Sequence, residues 1–357
     1  MPTFDIIKKH EPKSTFRIES VKGTFDLASN KIEERFVGNI DIDENWQIGL
    51  IVGRSGTGKS TISKQLFGDV LIDYFDYKNE SILDDMPKEC SVEDICKTFN
   101  SVGFSSPPSW LKPYNVLSNG EKMRVDLANA ILRNNSVFAF DEFTSVVDRE
   151  VAKISSFAMQ KAIRKTSKKF IAITCHHDVE EWLLPDWVFN TDTMTFHKNN
   201  EEQKKNRPEL NFKIYETKDK SKYWSMFSKY HYLSHSHNNA ARVFIATLND
   251  NIVGFCSILP FPHPKLKNCW KGHRTVIFPD YQGIGIGNIL TTNVAQILKQ
   301  NGKGFISTTS SPAIINARQN DKRWILTRVG RTSVSKNGKQ KGNTSSNRIT
   351  VSFKYVG

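Results

Sequence analysis

The sequence predicts an α/β chain of two domains. Residues 1–197 read as a parallel sheet with crossover helices, residues 198–211 as a linker, and residues 212–357 as an α+β domain. Three observations carry that reading. An apolar run, a glycine-rich turn and a helical run follow one another over residues 48–67. A hairpin pattern over residues 242–259 is followed by strand, glycine-rich turn and helix over residues 273–300. The charge also changes sign along the chain. Residues 1–200 hold 25 Lys/Arg against 29 Asp/Glu, net −4, whereas residues 201–357 hold 25 against 8, net +17.

Length and composition agree with two folded modules. A chain of 357 residues suggests about two domains. The 38% apolar content, with 23 Phe and 7 Trp, excludes a wholly disordered chain. No stretch approaches the roughly 18 consecutive apolar residues of a membrane helix. The N-terminal residues are charged and lack the apolar segment of a secretory signal. Five cysteines (Cys90, Cys96, Cys175, Cys256 and Cys269) are odd in number and form no C-x-x-C pair. A reducing, cytoplasmic setting without disulfides, zinc ribbon or membrane partner is therefore expected.

The first half is justified element by element. Residues 48–52 form a buried-strand pattern and residues 60–67 a helical one. Between them, Gly53, Arg54, Ser55, Gly56, Thr57, Gly58, Lys59 and Ser60 fit G-x-x-x-x-G-K-[ST] with no mismatch. Glycines let backbone N–H groups close around phosphate oxygens, and the helix start, with Thr61 in it, adds positive partial charge. Lys59 is placed to reach the β- and γ-phosphates, and Ser60 to hold Mg²⁺. Residues 136–140 and 170–174 are further apolar runs, with a helical segment at 149–165 between them. The first run ends in Asp141 and Glu142. Burial explains the run but not two carboxylates at its end. Asp141 suits a Mg²⁺ shell and Glu142 a general base for water; an acidic helix N-cap pair is the alternative.

With these in order, the first half resembles the ABC-type ATPase family over roughly residues 15–195. Leu117-Ser118-Asn119-Gly120-Glu121 is similar to the family's LSGGQ signature with two substitutions, and Arg124 and Ala128 follow at family-like spacing. Ser145-Val146-Val147-Asp148 resembles the D-loop, and Thr174-Cys175-His176-His177-Asp178 the histidine switch. The resemblance implies ATP and Mg²⁺, with Glu142 as base and His176, by its distance from Glu142, as switch histidine, His177 standing next. It implies a homodimer in which Ser118 and Gly120 of one copy cap nucleotide on the other. Phe25 is one candidate for stacking on adenine. The family's coupling glutamine has no counterpart, since Gln65 lies too close to Lys59; a transporter role is not expected.

In the second half, Asn249-Asp250-Asn251 joins two β-rich runs as a hairpin. Gln282, Gly283, Ile284, Gly285, Ile286 and Gly287 form a glycine-rich turn before a helical run. The turn offers backbone amides at a helix start for a pyrophosphate. A dinucleotide reading lacks its acidic residue about 20 positions on. Here the chain resembles the GNAT acyltransferase superfamily over about residues 212–330, whose coenzyme A loop Q/R-x-x-G-x-G/A is matched by Gln282, Gly285 and Gly287. The resemblance implies acetyl-CoA held at Gln282, Gly283, Ile284, Gly285, Ile286 and Gly287, a splayed strand that polarises the thioester, and direct attack by an amine. The carboxylate base seen in many members is missing. His273 is its candidate substitute, with a surface histidine as the alternative, and Asp280 and Tyr281 are candidate helpers.

Residues 230–237 hold His231, His235 and His237, which fit a metal, a substrate loop or a solvated loop. His231 and Tyr232 are similar to a His-Tyr segment of Mom-type phage DNA-modification proteins, GNAT relatives that alter adenine. Residues 318–348 carry nine basic residues, one acid and Trp324. Lys/Arg for phosphates with an aromatic for a base is a nucleic-acid pattern, and solvated loops around a core Trp explain the same residues. Together these readings predict an ATP-hydrolysing ABC-type ATPase fused to an acetyl-CoA-dependent acyltransferase acting on nucleic acid. An ATPase-regulated protein or small-molecule N-acetyltransferase, and a non-catalytic coenzyme A-sensing or nucleic-acid-binding module, are the alternatives.

Overall fold

The computed structural model describes residues 3–27, 32–72, 75–200, 210–231, 236–264, 266–331 and 349–357. In chain order the first half contributes β1 (Thr3–His10), α1 (Phe16–Phe25), β2 (Ile32–Asn39), β3 (Ile48–Val52), α2 (Lys59–Phe67) and β4 (Leu71–Ile72). Then come α3 (Val92–Ser101), α4 (Pro107–Trp110), α5 (Asn119–Leu132), β5 (Val137–Phe140), α6 (Arg149–Ile163), β6 (Lys169–Thr174), α7 (Val179–Leu183), β7 (Trp187–Asn190) and β8 (Thr195–Lys198). The second half contributes β9 (Phe212–Thr217), α8 (Lys220–Phe227), β10 (Arg242–Leu248), β11 (Asn251–Pro260), β12 (Cys269–Ile277) and α9 (Ile286–Gln300). It ends with β13 (Gly304–Thr309), α10 (Pro312–Gln319), β14 (Trp324–Arg331) and β15 (Ile349–Tyr355). All five cysteines are free thiols.

These elements form two compact units. The first comprises Met1–Phe75, Asn134–Asp148 and Ile163–Arg207. Its sheet has the order β4-β5-β6-β3-β7-β8, parallel throughout except for the β7–β8 pair. Every residue of β3 is buried, as expected of a parallel strand covered on both faces. Ile51, Ile62, Ile171, Ile173, Trp187 and Phe189 pack with Phe4 and Phe36 of a separate antiparallel pair, β1–β2. Asp186 is a buried charge with its partners supplied. Its carboxylate accepts the N–H groups of Gln47 (2.7 Å) and Ile48 (2.9 Å) and both terminal nitrogens of Arg164 (2.8 and 3.0 Å). A buried carboxylate with four donors is satisfied; one left with none is costly.

The second unit comprises Asp76–Arg133, Arg149–Ala162 and Pro208–Gly357. Its sheet has the order β14-β15-β13-β12-β11-β10-β9, antiparallel except where β12 meets β13. The hairpin expected at residues 242–259 is β10–β11. Asn249 and Asp250 at its tip have φ +49° and +64°, a left-handed pair that matches the twist of adjoining strands. On one face Trp224 and Phe227 of α8 pack with Val243, Ile245, Phe255 and Val276. Helix α9 packs on β11, β12 and β13. Chain position groups residues 76–133 with the nucleotide motifs. Packing groups them with the C-terminal sheet, where α10 meets α3 and Gly103 meets Gly283.

One packing detail of the first unit is testable. Gly49 lies in β3 against Trp187, and a Cβ there would lie 2.0 Å from the indole Cζ2. A fully buried Trp in a close-packed core cannot yield that space without displacing its neighbours. Gly49→Ala is therefore expected to destabilise the protein by about 1–3 kcal/mol, read as a lowered urea midpoint with unchanged m-value. An unchanged midpoint would show that Trp187 repacks freely.

Candidate nucleotide and acyl-carrier sites

The phosphate-loop residues sit between β3 and α2. Gly56 and Gly58 both have φ +85°, which a side chain would strain. A Cβ at Gly53 would lie 2.1 Å from Thr191 Oγ1, and one at Gly58 would strike the Phe36 ring. The N–H of Arg54 donates to Asp192 (3.0 Å) and that of Thr57 to the Arg54 carbonyl (3.4 Å). The N–H groups of Ser55, Gly56, Gly58, Lys59, Ser60 and Thr61 have no acceptor among the described residues. Lys59 Nζ donates to the Arg54 carbonyl at 2.8 Å, so the lysine folds over its own loop. Ser60 and Thr61 open α2, with the Ser60 side chain exposed.

The other chemistry-bearing groups of this unit lie at the same carboxyl edge of the sheet. Asp141 follows β5, and His176 and His177 follow β6, the strand between β5 and β3. Open parallel sheets bind ligands at this edge. Glu142 (φ +55°) and Thr144 (φ +68°) are both left-handed, strain that is concentrated beyond the strand end. The Phe143 N–H donates to the Ile173 carbonyl (2.8 Å) and anchors the bend to β6. His176 Nδ1 lies 3.3 Å from Thr144 Oγ1, beside the segment that carries Glu142. His177 Nε2 lies 3.1 Å from Asp192, the residue that also holds Arg54. Phe25 is 69% exposed, on a helix with no buried side chain.

The signature-like segment lies in the second unit and opens α5. Ser118 caps the helix: its Oγ accepts the Glu121 N–H (3.3 Å), and Glu121 Oε2 accepts the Ser118 N–H (3.0 Å). This is a capping box, S-x-x-E. Glu121 Oε1 also accepts from Ser109 Oγ (2.9 Å). The acid standing where the family has glutamine thus holds the helix start in shape. Gly120 is buried within the first turn.

The second glycine turn follows a short turn at Pro279–Tyr281 and caps α9. Gly283 and Gly285 have φ +87° and +95°. Beside Gly285 there is open space among the described residues, while Ile284 and Ile286 are buried and anchor the turn. The N–H groups of Gly283, Ile284, Gly285, Ile286 and Gly287 have no acceptor among the described residues. The Gln282 side chain is already engaged, accepting the Ser105 N–H (3.0 Å) and donating to the Ile277 carbonyl (3.0 Å). Sequence reading placed Gln282 among the carrier-binding residues; the structure gives its side chain protein partners. Tyr281, half-buried, precedes it.

Strand β12 leads into this turn and departs from regular pairing twice. It pairs in parallel with β13 only over Cys269–Gly304, Trp270–Phe305 and Lys271–Ile306, after which the two strands part. Opposite β11, Ser257 pairs with Arg274 and Ile258 with Gly272, so His273 is the extra residue of a bulge. Bulges re-aim side chains and recur beside active sites. The His273 ring lies 5.7 Å from that of His237, and each has a buried Nε2 with no hydrogen-bond partner among the described residues. Burial pushes the His273 pKa down to about 4, helped by Arg274 and His237. Burial also lowers that of His237, helped by Arg274 and Lys220. A neutral imidazole at neutral pH can accept a proton.

Several expectations meet a different outcome. Trp324 does not offer its ring to a base. It is 5% exposed, stacked by the Arg318 guanidinium at 4.1 Å, and donates from Nε1 to Thr292 (3.2 Å). Residues 324–331 are the edge strand β14 rather than loop. His231 is buried, its ring edge-on to Trp224 at 5.8 Å. Tyr232 and His235 lie outside the described residues, and no metal-ligand cluster occurs among those described. Sequence reading missed the bulge at His273, the ring of His237 against it, and the buried Arg124 and Arg318.

The C-terminal region matches the acetyltransferase (GNAT) family model over residues 179–316. The N-terminal half has ABC ATPase relatives. One is the energy-coupling factor transporter ATP-binding protein EcfA of Malacoplasma penetrans, 26% identical over 235 residues, covering 51% of this chain and 76% of the relative. Among solved structures, a dimeric bacterial ABC transporter cassette is 15% identical with TM-score 0.34, covering 44% of this chain and 87% of that one. An acetyltransferase from Bacillus cereus is 15% identical with TM-score 0.31, covering 41% of this chain and 99% of that one. The chain is an α/β protein whose N-terminal half is similar to ABC-type ATP-binding proteins and whose residues 179–316 match the GNAT model. Such halves imply ATP with Mg²⁺ and an acyl-CoA. The open amides of both glycine turns fit the phosphates of each.

Lys59→Ala is expected to lower nucleotide affinity at least tenfold, measured by fluorescent ATP-analogue titration. Glu142→Gln is expected to keep that affinity while ATP turnover falls by about 10²-fold or more. A Glu142→Gln protein with wild-type turnover would remove that carboxylate from the role of base.

Proposed function

We propose that this protein is an ATP-hydrolysing ABC-type ATPase joined to an acyl-CoA-dependent N-acyltransferase whose acceptor is a nucleic acid. One conjunction carries the transferase reading: the parting of β12 from β13 after Lys271, the bulge at His273, and the unspent amides of residues 283–287. The opened strand offers backbone groups to a thioester arm, and the amides of the turn suit its pyrophosphate. An acceptor amine attacks the thioester carbonyl carbon, the C–S bond breaks, and the thiolate leaves. His273 takes the amine proton, with His237 beside it and Tyr281 a helper near the turn. His231 and Tyr232 are candidates for the acceptor side.

In the first half, residues 53–61 cradle the triphosphate, and Ser60 and Asp141 hold Mg²⁺, which neutralises phosphate charge. Glu142 activates water and His176 supports the γ-phosphate. Ser118 and Gly120 of a second copy close the site in a homodimer. The acceptor is read from charge. A balance of +17 over residues 201–357 makes a field that draws polyanions.

Incubation with radiolabelled acetyl-CoA, ATP and DNA or RNA tests this reading. Label is expected on nucleic acid. Label only on protein or small amines would reject that acceptor, and binding without any transfer would leave a sensor. His273→Ala is expected to lower kcat by about 10²–10⁴-fold. Because His273 stays neutral down to about pH 4, its acid limb should lie near 4 rather than 6.5. The same depression makes the unfolded chain bind more protons between those values. Its contribution to stability should hold above pH 6.5 and fall on acidification towards 4.

A further inference from the structure

We propose that acyl-CoA binding at residues 282–287 is coupled to nucleotide binding through helix α5, with Gly103, Ser105 and Arg124 as positioning residues. The inference rests on the functional reading above and adds its regulation. The contact is backbone on backbone. Gly103 (φ +86°) and Gly283 (φ +87°) face each other so closely that a Cβ on Gly283 would lie 2.7 Å from Gly103 Cα. A Cβ on Gly103 would lie 2.8 Å from the Gln282 carbonyl oxygen. No residue other than glycine allows that approach on either side.

Two polar links fix its direction. Gln282 spans from the Ser105 N–H to the Ile277 carbonyl, tying the connection between α3 and α4 to the end of β12. Arg124, on α5 beyond the signature-like turn, is 1% exposed. Its Nη2 donates to the Asp280 carbonyl (3.2 Å) and to Ser155 Oγ (3.3 Å), and its Nη1 lies 3.9 Å from the Asp280 carboxylate. Its Nε has no hydrogen-bond partner among the described residues. A buried, incompletely paired guanidinium is a poor way to gain stability, since an apolar side chain of similar volume would serve as well or better. Its placement suits a different purpose: it holds the carbonyl just ahead of the turn and so sets where the amides of residues 283–287 point.

Amides grip phosphate oxygens only within a few tenths of an ångström and a narrow angle. Ser118 and Gly120, which open α5, are the residues that would close on a nucleotide. A displacement of α5 on closure therefore reaches the turn through the buried Arg124 side chain, and through α3 to the close-packed backbone approach of Gly103 and Gly283. Each ligand then shifts the other's affinity by one common factor.

The test is calorimetry on the full chain. Acetyl-CoA is titrated with and without a non-hydrolysable ATP analogue and Mg²⁺, and the analogue with and without acetyl-CoA. The expected result is a change of about fivefold or more in the Kd of acetyl-CoA, with an equal change in that of the analogue. Ser105→Pro, which removes the donor to Gln282, and Arg124→Met, which keeps the volume, should each bring that factor towards one. The affinity for the analogue alone should be retained, which a merely unfolded variant would not show. If both ligands bind with unlinked constants, the coupling is overturned and the functional reading stands. If acetyl-CoA does not bind at all, both fall. If the factor survives in both variants, the assigned route is wrong.

Discussion

A backbone N–H must find an acceptor, and the proposed chemistry follows from two turns where the described residues provide none. Gly56 and Gly58 in the first, and Gly283 and Gly285 in the second, take left-handed conformations that aim consecutive N–H groups outward. Each turn runs into a helix, whose aligned peptides add positive partial charge at the same place. What differs is the support. Side chains of Thr191 and Phe36 crowd the first turn, whereas the second rests on the backbone of Gly103.

The second turn also sits among buried cations. Arg124 holds the carbonyl ahead of it, and Arg318 donates to Asn288 (3.3 Å) and Thr291 (2.8 Å) in the first turns of α9 just beyond it. Each guanidinium keeps one buried nitrogen without a hydrogen-bond partner among the described residues, Arg124 Nε and Arg318 Nη1. Burial pushes the Arg318 pKa down to about 10, which still leaves it charged at neutral pH. Charge held inside the protein is screened less than charge at the surface. These two side chains thus place fixed positive charge close to the turn.

Legibility in the sequence followed the range of the interaction. Residues 53–60 were readable because a phosphate cradle needs glycines, a lysine and a hydroxyl at fixed local spacing. The β10–β11 hairpin was readable because its turn residues sit between two β-rich runs. The capping box of Ser118 and Glu121 was equally local, but the likeness to a signature motif drew the reading elsewhere. Strand β14 was hidden because its side chains are mostly exposed and backbone pairing with β15 holds it, so no alternation marks it. The bulge at His273 depends on register with β11, which no local pattern encodes. The burial of Arg124 and Arg318 had no local sign, because arginine is seldom fully buried.

The second unit is assembled from stretches far apart in the chain, and this bears on how it is made. Ser105 and Gln282, joined by a hydrogen bond, are 177 positions apart, and Arg124 and Asp280 are 156 apart. On the ribosome, the segment around Gly103 emerges well before the turn that covers it. At roughly 5–20 residues per second it spends on the order of ten seconds with its backbone contact unmade. In that interval the early segments of this unit lack the C-terminal partners that later cover them.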